Sequence, residues 1–486
     1  MSVSFISRIL KKYKVITFFI LIFITYNLFG FGVAITNDSC TNSLQIKELD
    51  IFSRSSHFSF HLLGVIFYSI LNYLFGTSSI NSIEFLLACI STLGSFGLFN
   101  IIKQRSDDQK TAFIAVILYA FSSGIFRFSC RAEYLVFIPS LALISLALYN
   151  SKKYILSGFV YSLGFLSSPF IILFSPTFLL FNSNKTLFKK KNLIFIVGFV
   201  LTYLVAAYFT FESTISGSWS YSQVLYYYID IIKNLDFLRI FAVWVYGYLR
   251  SFHILIFIAI PAIIYVYKYD KRLFWLFLFL LVFHLPAAIP EARYGAYQMT
   301  VYPLLSYVFS QYLVFLFNKK IKWIYIILPI FLGLNLFLVI TERNYNKKIK
   351  KTYALLNQNP EIKDGTIIFT YKAVNPIRKL YAPRLNPISL QAEAQEKTLL
   401  STPLSGYKLP EYKDIFTTDE DVYLIESGTM IPDDYLKEKL ASFINPKSIK
   451  LKNFGLNKLN PYLHSREVIL LNDYPVRVYL IRHSDN

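Results

Sequence analysis

The chain has 486 residues, of which 55% are hydrophobic, 18% aromatic and 16% charged. A soluble domain carries about 25% charged residues, so this composition excludes an ordinary soluble globular protein and points to a membrane protein. The net charge of +20 could suggest a nucleic-acid partner, but the bases cluster in short loops between apolar runs, which is the pattern membrane topology requires. The cysteines, Cys40, Cys89 and Cys130, have no paired spacing and imply neither a disulfide framework nor a metal knuckle.

The N-terminus carries Arg8, Lys11, Lys12 and Lys14 before an apolar run at about 15–35. No small-residue cleavage site follows at the expected distance, so it reads as a retained first helix rather than a signal peptide. The next stretch, Thr36–Leu63, is the first polar segment and holds Asp38, Glu48, Asp50, His57 and His61. It reads as an outer loop. Within it, 57–76 is apolar but interrupted, and fits either a span or a helix in the interface.

Apolar runs follow at 80–102, 111–129, 134–150, 154–183, 193–211, 236–268, 273–289, 297–317 and 321–341, long enough to cross about 30 Å of hydrocarbon. The run 154–183 holds Ser167-Ser168-Pro169 at its centre. Proline removes a helix hydrogen bond and disfavours helix before it, so two short helices are expected to meet there. The run 236–268 is broken by Arg239, Arg250 and His253, with 251–268 expected to cross.

With the N-terminus inside and 57–76 interfacial, the loops at 103–110, 152–153, 184–192, 268–272 and 318–322 all face the cytoplasm. Of 27 Lys and Arg before residue 342, 19 then fall inside and 8 outside. This predicts an α-helical polytopic membrane protein of about eleven transmembrane helices in the cell membrane. Nine of the twelve acids in that region gather at the outer face. Acids contribute little to orientation, so the gathering has another explanation, and an outer active site is one. Residues 342–486 have no spanning run and carry β-like stretches at 365–371, 421–427 and 476–482, with helical pieces such as 432–444 between them. They predict a C-terminal extracytoplasmic α/β domain, with the boundary at 341/342.

Each candidate residue has a plain reading beside the chemical one. Asp38 is a possible proton acceptor, or part of the helix start that Asn37-Asp38-Ser39 favours. Glu133 lies between Arg131 and Tyr134 with Arg127 nearby. It is a second carboxylate near the first loop, or half of an interfacial salt bridge. Arg293, in PEARYGAYQMTVYP, matches phosphate oxygens with its planar fork, or snorkels to headgroups. His57 and His61 are four apart, a spacing that can bind Zn²⁺. The glutamate of an HEXXH motif is absent and two ligands are too few, so a divalent metal is not indicated and no cofactor is implied.

These residues resemble the GT-C superfamily of polyprenyl-phosphate-sugar glycosyltransferases, nearest to the protein O-mannosyltransferase-like branch. Asp38-Ser39, His57 and Leu62-Leu63 resemble an Asp-Ser-Gly-Glu segment followed by a His-Pro-Pro-Gly-Tyr-Pro segment and a Leu-Leu pair, with Cys40-Thr41 and Phe58-Ser59 departing from that pattern. Ala132-Glu133-Tyr134 resembles its Glu-Val-Tyr segment, Ser162-Leu163-Gly164 its Leu-Gly segment, and Arg293-Tyr294 with Pro303 its Arg-Tyr segment before a late helix.

The resemblance implies transfer, with inversion, of a sugar from a polyprenyl-phosphate carrier to an acceptor hydroxyl outside the membrane. Asp38 would be the base and Glu133 would orient the acceptor or assist. Arg293, Arg131 and Arg239 would bind the donor phosphate. His57 and Glu291 would support the acceptor or the loop. The partners are a polyprenyl-phosphate-linked sugar, membrane lipids and a protein, lipid or glycan acceptor, with no nucleic acid. The alternatives are a non-enzymatic lipid-linked-sugar transporter, expected to show charges along a path and internal repeats, or a catalytically inactive GT-C-like assembly subunit.

Overall fold

The computed structural model describes residues 13–34, 37–51, 57–175, 190–216, 237–284, 297–321, 324–370, 380–389, 421–425, 466–476 and 478–483. The chain divides into two compact units. One comprises Met1–Gly32 with Leu49–Thr341, and the other Val33–Glu48 with Glu342–Asn486.

The first unit is helical. Its elements are α1 (Lys14–Leu28), α3 (Phe58–Phe75), α4 (Ser79–Ser106), α5 (Gln109–Ala120), α6 (Ser123–Ser129), α7 (Phe137–Asn150), α8 (Tyr154–Ser167), α9 (Lys190–Ser216), α10 (Phe237–Phe252), α11 (Ala259–Tyr269), α12 (Lys271–Phe283) and α13 (Tyr302–Asn318). The helix Ile324–Gln358, α14, starts in this unit and runs on well past Thr341, where the apolar run ends. Among the described residues, four stretches are by length and composition able to cross a membrane: Phe58–Phe75, Ser79–Ser106, Trp244–Tyr269 and Tyr325–Gln358; a fifth is the pair α5 and α6, bent by 66°.

The sequence shows 111–129 as one run, yet it bends, because Phe121 and Ser122 leave the helix and Ser122, with ψ 141, starts α6 in a new direction. The break after α8 is the expected one: Ser168 precedes Pro169 and is extended, with φ −169 and ψ 131, as the pre-proline clash demands. Of the three interruptions expected in 236–268, Arg239 and Arg250 lie within the continuous helix α10, and the break comes at His253, where a short 3₁₀ stretch from His253 to Ile258 joins α10 to α11.

Close backbone approach sets helix directions. A Cβ on Gly94 would lie 2.7 Å from the Ser140 Cα, and one on Gly97 would lie 2.9 Å from the Leu143 carbonyl oxygen. The register rises on both helices, so α4 and α7 run parallel, with the small residues that close packing of apolar helices uses. Tyr161 packs on Phe195 and Phe199, and Phe165 on Phe199 and Tyr203, so α8 and α9 also run the same way. Ser145 and Ser157 each donate to the other's carbonyl, at 2.8 and 2.7 Å, clasping α7 to α8.

These directions give the unit two ends. At one end Arg105 pairs with Asp270 at 2.7 Å, Lys110 lies 5.5 Å over the Phe317 ring, and Lys191 lies 5.7 Å over Tyr149. The basic loops between helices gather here. At the other end Gly32 meets Glu84, Phe31 meets Cys130 and His57 meets Tyr134. Both ends of α3 are tied to this second end. His57 stacks on Tyr134, and three residues after Phe75 the chain enters α4, whose second turn carries Glu84. Although α3 is long and apolar enough to span, its ties are those of a helix lying across one end.

The second unit holds α2 (Asn37–Lys47), the later part of α14, and a five-stranded sheet of order β2-β1-β3-β5-β4. The strands are β1 (Ile367–Thr370), β2 (Asn386–Ser389), β3 (Val422–Ile425), β4 (Arg466–Leu471) and β5 (Val478–His483). β1 pairs parallel with β2 and β3, while β5 pairs antiparallel with β3 and β4. The three β-like stretches of the sequence are β1, β3 and β5; the helix expected at 432–444 lies outside the described residues. Ile349, Tyr353 and Leu356 of α14 are buried, at the spacing of one helix face, and Thr352 accepts from the Val476 N–H at 3.3 Å.

Candidate active site

The described residues of the segment expected as a loop at 36–63 are largely helical. Asn37 is the first residue of α2, so the helix-start reading of Asn37-Asp38-Ser39 describes the backbone. The helix is held within its own unit: the Cys40 thiol lies 3.1 Å from the Ala34 carbonyl, and the Ala34 N–H donates to the Tyr381 hydroxyl at 2.9 Å. Asp38 is its second residue. The Asp38 side chain is outside the described part of the structure, as is that of Arg239 on α10, and Glu291 and Arg293 fall in 285–296, which is outside it entirely.

Around Glu133 the geometry is explicit. Among the described residues, the buried charged side chains are Glu84, Arg127, Arg131 and Glu133, and all four belong to the same end of the first unit. α1 stops at Leu28. Gly32, with φ +62, turns the chain so that its N–H donates to both carboxylate oxygens of Glu84 at 3.0 Å. The Phe31 N–H donates to the Cys130 carbonyl at 2.9 Å, which fixes the start of the segment Cys130–Glu133. There Arg131 and Glu133 pair at 2.7 Å, with side chains 8% and 7% exposed. Arg127, on α6, lays its guanidinium over the Phe128 ring at 4.3 Å.

His57 joins this cluster from α3. Its ring stacks on Tyr134 at 3.9 Å, and its Nδ1 lies 2.7 Å from the Ser167 carbonyl. A carbonyl oxygen only accepts, so Nδ1 carries the proton. Ser59 donates to the Leu163 carbonyl and lies 2.5 Å from the Ser167 hydroxyl. The N-terminus of α3 is thus pinned to the C-terminus of α8, beside the loop that holds Glu133. His61, one turn on, is buried against Phe60. Among the described residues no group of three or more His, Cys, Asp or Glu is placed to hold a metal ion.

The structure therefore brings together Arg131, Glu133 and His57. Asp38 belongs to the second unit. Glu84 and Arg127 complete the buried set. The sequence signal for Glu84 is an acid six residues into an otherwise apolar helix, a position where burial is costly unless the charge is paired or hydrogen-bonded. Among the described residues, the two buried cations and the two buried carboxylates balance.

No protein-family model and no curated protein matches the sequence. Solved structures do. ArnT from Cupriavidus metallidurans bound to undecaprenyl phosphate matches with a TM-score of 0.59 at 10% identity, over 97% of this chain and 98% of that one. The fold is shared with ArnT. The apo state of ArnT matches over the same shares with a TM-score of 0.52. The oligosaccharyltransferase of Archaeoglobus fulgidus, in complex with Zn and sulfate, gives 0.47 at 13% identity, over 94% of this chain and 72% of that one.

Proposed function

We propose that the protein is an integral-membrane glycosyltransferase that moves a sugar from a polyprenyl-phosphate carrier to an acceptor hydroxyl outside the membrane. The observation that carries this reading is the likeness to ArnT over nearly the whole chain, in a structure that holds undecaprenyl phosphate. The buried Glu84–Arg127–Arg131–Glu133 cluster in an otherwise apolar unit supports it, because such residues mark functional sites.

An acceptor hydroxyl is a weak nucleophile at neutral pH, so a positioned carboxylate takes its proton as attack occurs. Asp38 is assigned that role. Glu133, held by Arg131 at 2.7 Å, is assigned to orienting the acceptor or assisting Asp38. Arg293, with Arg131 or Arg239, binds the departing phosphate and stabilises its charge. His57 and Glu291 support the acceptor. The first unit is the transmembrane domain, with about eleven crossings and the N-terminus cytoplasmic; the sheet and α2 lie on the outer side.

Purified protein in liposomes, given polyprenyl-phosphate hexoses and pentoses in turn together with a cell-envelope extract as the source of acceptor hydroxyls, tests this reading. Sugar should leave the carrier only when protein is present, and Asp38→Asn should abolish the release. If no carrier is consumed, and surface glycans and glycoproteins of cells with and without the protein have identical mass spectra, the non-enzymatic reading takes its place.

A further inference from the structure

The corner between α11 and α12 combines three features that the reaction does not use. First, it is basic. Lys268, Lys271 and Arg272 lie exposed at the surface there, and the one acid within α11, α12 and their junction is Asp270. Second, that acid is withdrawn. Its carboxylate accepts from Arg105 at 2.7 Å and caps α12 by accepting from the Leu273 N–H at 3.0 Å. The guanidinium of a neighbouring helix thus removes the negative charge that would otherwise oppose the lysines. Third, the cations are flanked by exposed aromatic side chains. Tyr269 is 70% exposed, Trp275 60% and Tyr267 45%, with Lys271 lying 5.8 Å over the Tyr267 ring.

Amphipathic rings at the end of an apolar helix belong at the headgroup level of a bilayer. Basic clusters at the same depth attract anionic headgroups. We propose that this corner is a docking site for the headgroup of an anionic phospholipid. Lys268 and Lys271 face the phosphate, Tyr269 and Trp275 seat against the glycerol and upper acyl region, and the Arg105–Asp270 pair keeps the corner cationic. The site lies at the basic end of the first unit, opposite the Glu133 cluster, and does not depend on the proposed reaction.

The test uses delipidated, full-length protein in detergent, titrated with phosphatidylglycerol or with zwitterionic phosphatidylcholine, and reads retained lipid by native mass spectrometry. The wild-type protein should retain phosphatidylglycerol in preference. Each cation removed should weaken that retention about fivefold, so Lys268→Gln with Lys271→Gln should cost about twenty-five-fold and leave phosphatidylcholine unchanged. Both lysines are exposed, so this variant should remain folded. Arg105→Gln, which returns the Asp270 charge to the corner, should cost about fivefold. Removing the same charge at Lys152 and Lys153, elsewhere on the basic end, should cost little. An equal loss from that control, no preference for phosphatidylglycerol, or displacement of the lipid by soluble glycerol phosphate at equal concentration would each overturn the proposal.

Discussion

Arg131 and Glu133 are two residues apart in sequence, 2.7 Å apart across their side chains and both buried. A desolvated ion pair adds little net stability, but removing one partner strands the other charge in a low-dielectric site at a cost of about 3–5 kcal/mol. Glu133→Leu and Arg131→Met should each lower the unfolding temperature sharply in detergent, and the double variant should recover much of the loss. A double variant as unstable as the sum of the two would show that the pair is not coupled.

Asp38→Asn keeps the shape of the side chain and removes the base. Loss of a general base costs about 10²–10⁴-fold in rate, with donor binding little changed. The rival acids of the same segment, Glu48 and Asp50, stand near Lys47 and Arg54 in sequence, and Glu48→Gln and Asp50→Asn should cost far less. Transfer at the wild-type rate in Asp38→Asn membranes of matched expression would remove Asp38 from the reaction and make Glu133 the first candidate.

Arg293→Lys keeps the charge and loses the planar fork. It should weaken use of the lipid donor, and Arg293→Ala should weaken it further. Unchanged donor kinetics in the alanine variant would return Arg293 to snorkelling.

Cysteine labelling from outside should reach positions introduced near Ser220 and Ser401 and miss those near Asn184. Cys40 and Cys130 are buried and should contribute little background. Outside labelling at Asn184 would overturn the proposed orientation.

Asp108 caps α5 at the basic end, accepting from the Lys110 N–H at 3.0 Å and the Thr111 N–H at 3.1 Å. Partial burial pushes its carboxyl up, but the Thr111 hydroxyl, the two N–H donors and the Lys110 charge outweigh it and hold it below the usual carboxylate value. With the folded value depressed, the stabilisation is present above the unfolded carboxyl's pKa of about 3.9 and is lost as pH falls through the folded value. Asp108→Ala should cost about 1 kcal/mol at neutral pH, and the gap between variant and wild type should close in acid. A gap independent of pH would remove the carboxylate from the cap.

Apolar run lengths made most helices of the first unit visible in the sequence, because burial in lipid or among helices leaves few polar interruptions. Short clusters of β-branched and aromatic residues did the same for β1, β3 and β5. The failures have physical causes. α2, NDSCTNSLQIK, has no apolar stripe, so only its start signal was legible. The later part of α14 is charged, and its buried Ile349, Tyr353 and Leu356 are too widely spaced to register as a run. The bend between α5 and α6 falls at Ser122-Ser123-Gly124, a small-residue signal that the apolar residues on both sides outweigh when the run is read by length. At the site, the Arg131–Glu133 pairing could be read from adjacency. The Glu84–Gly32 contact joins residues 52 apart, and nothing local announces it.

The stacking of His57 on Tyr134 gives the site an intrinsic spectroscopic reporter. Ring currents from the tyrosine should shift the imidazole proton resonances, setting His57 apart from the other histidines among the six in the chain. A preparation isotopically labelled only at histidine could follow that one resonance while carrier, acceptor or inhibitor is added. Such a signal would register occupancy near Glu133 even for a compound that never turns over.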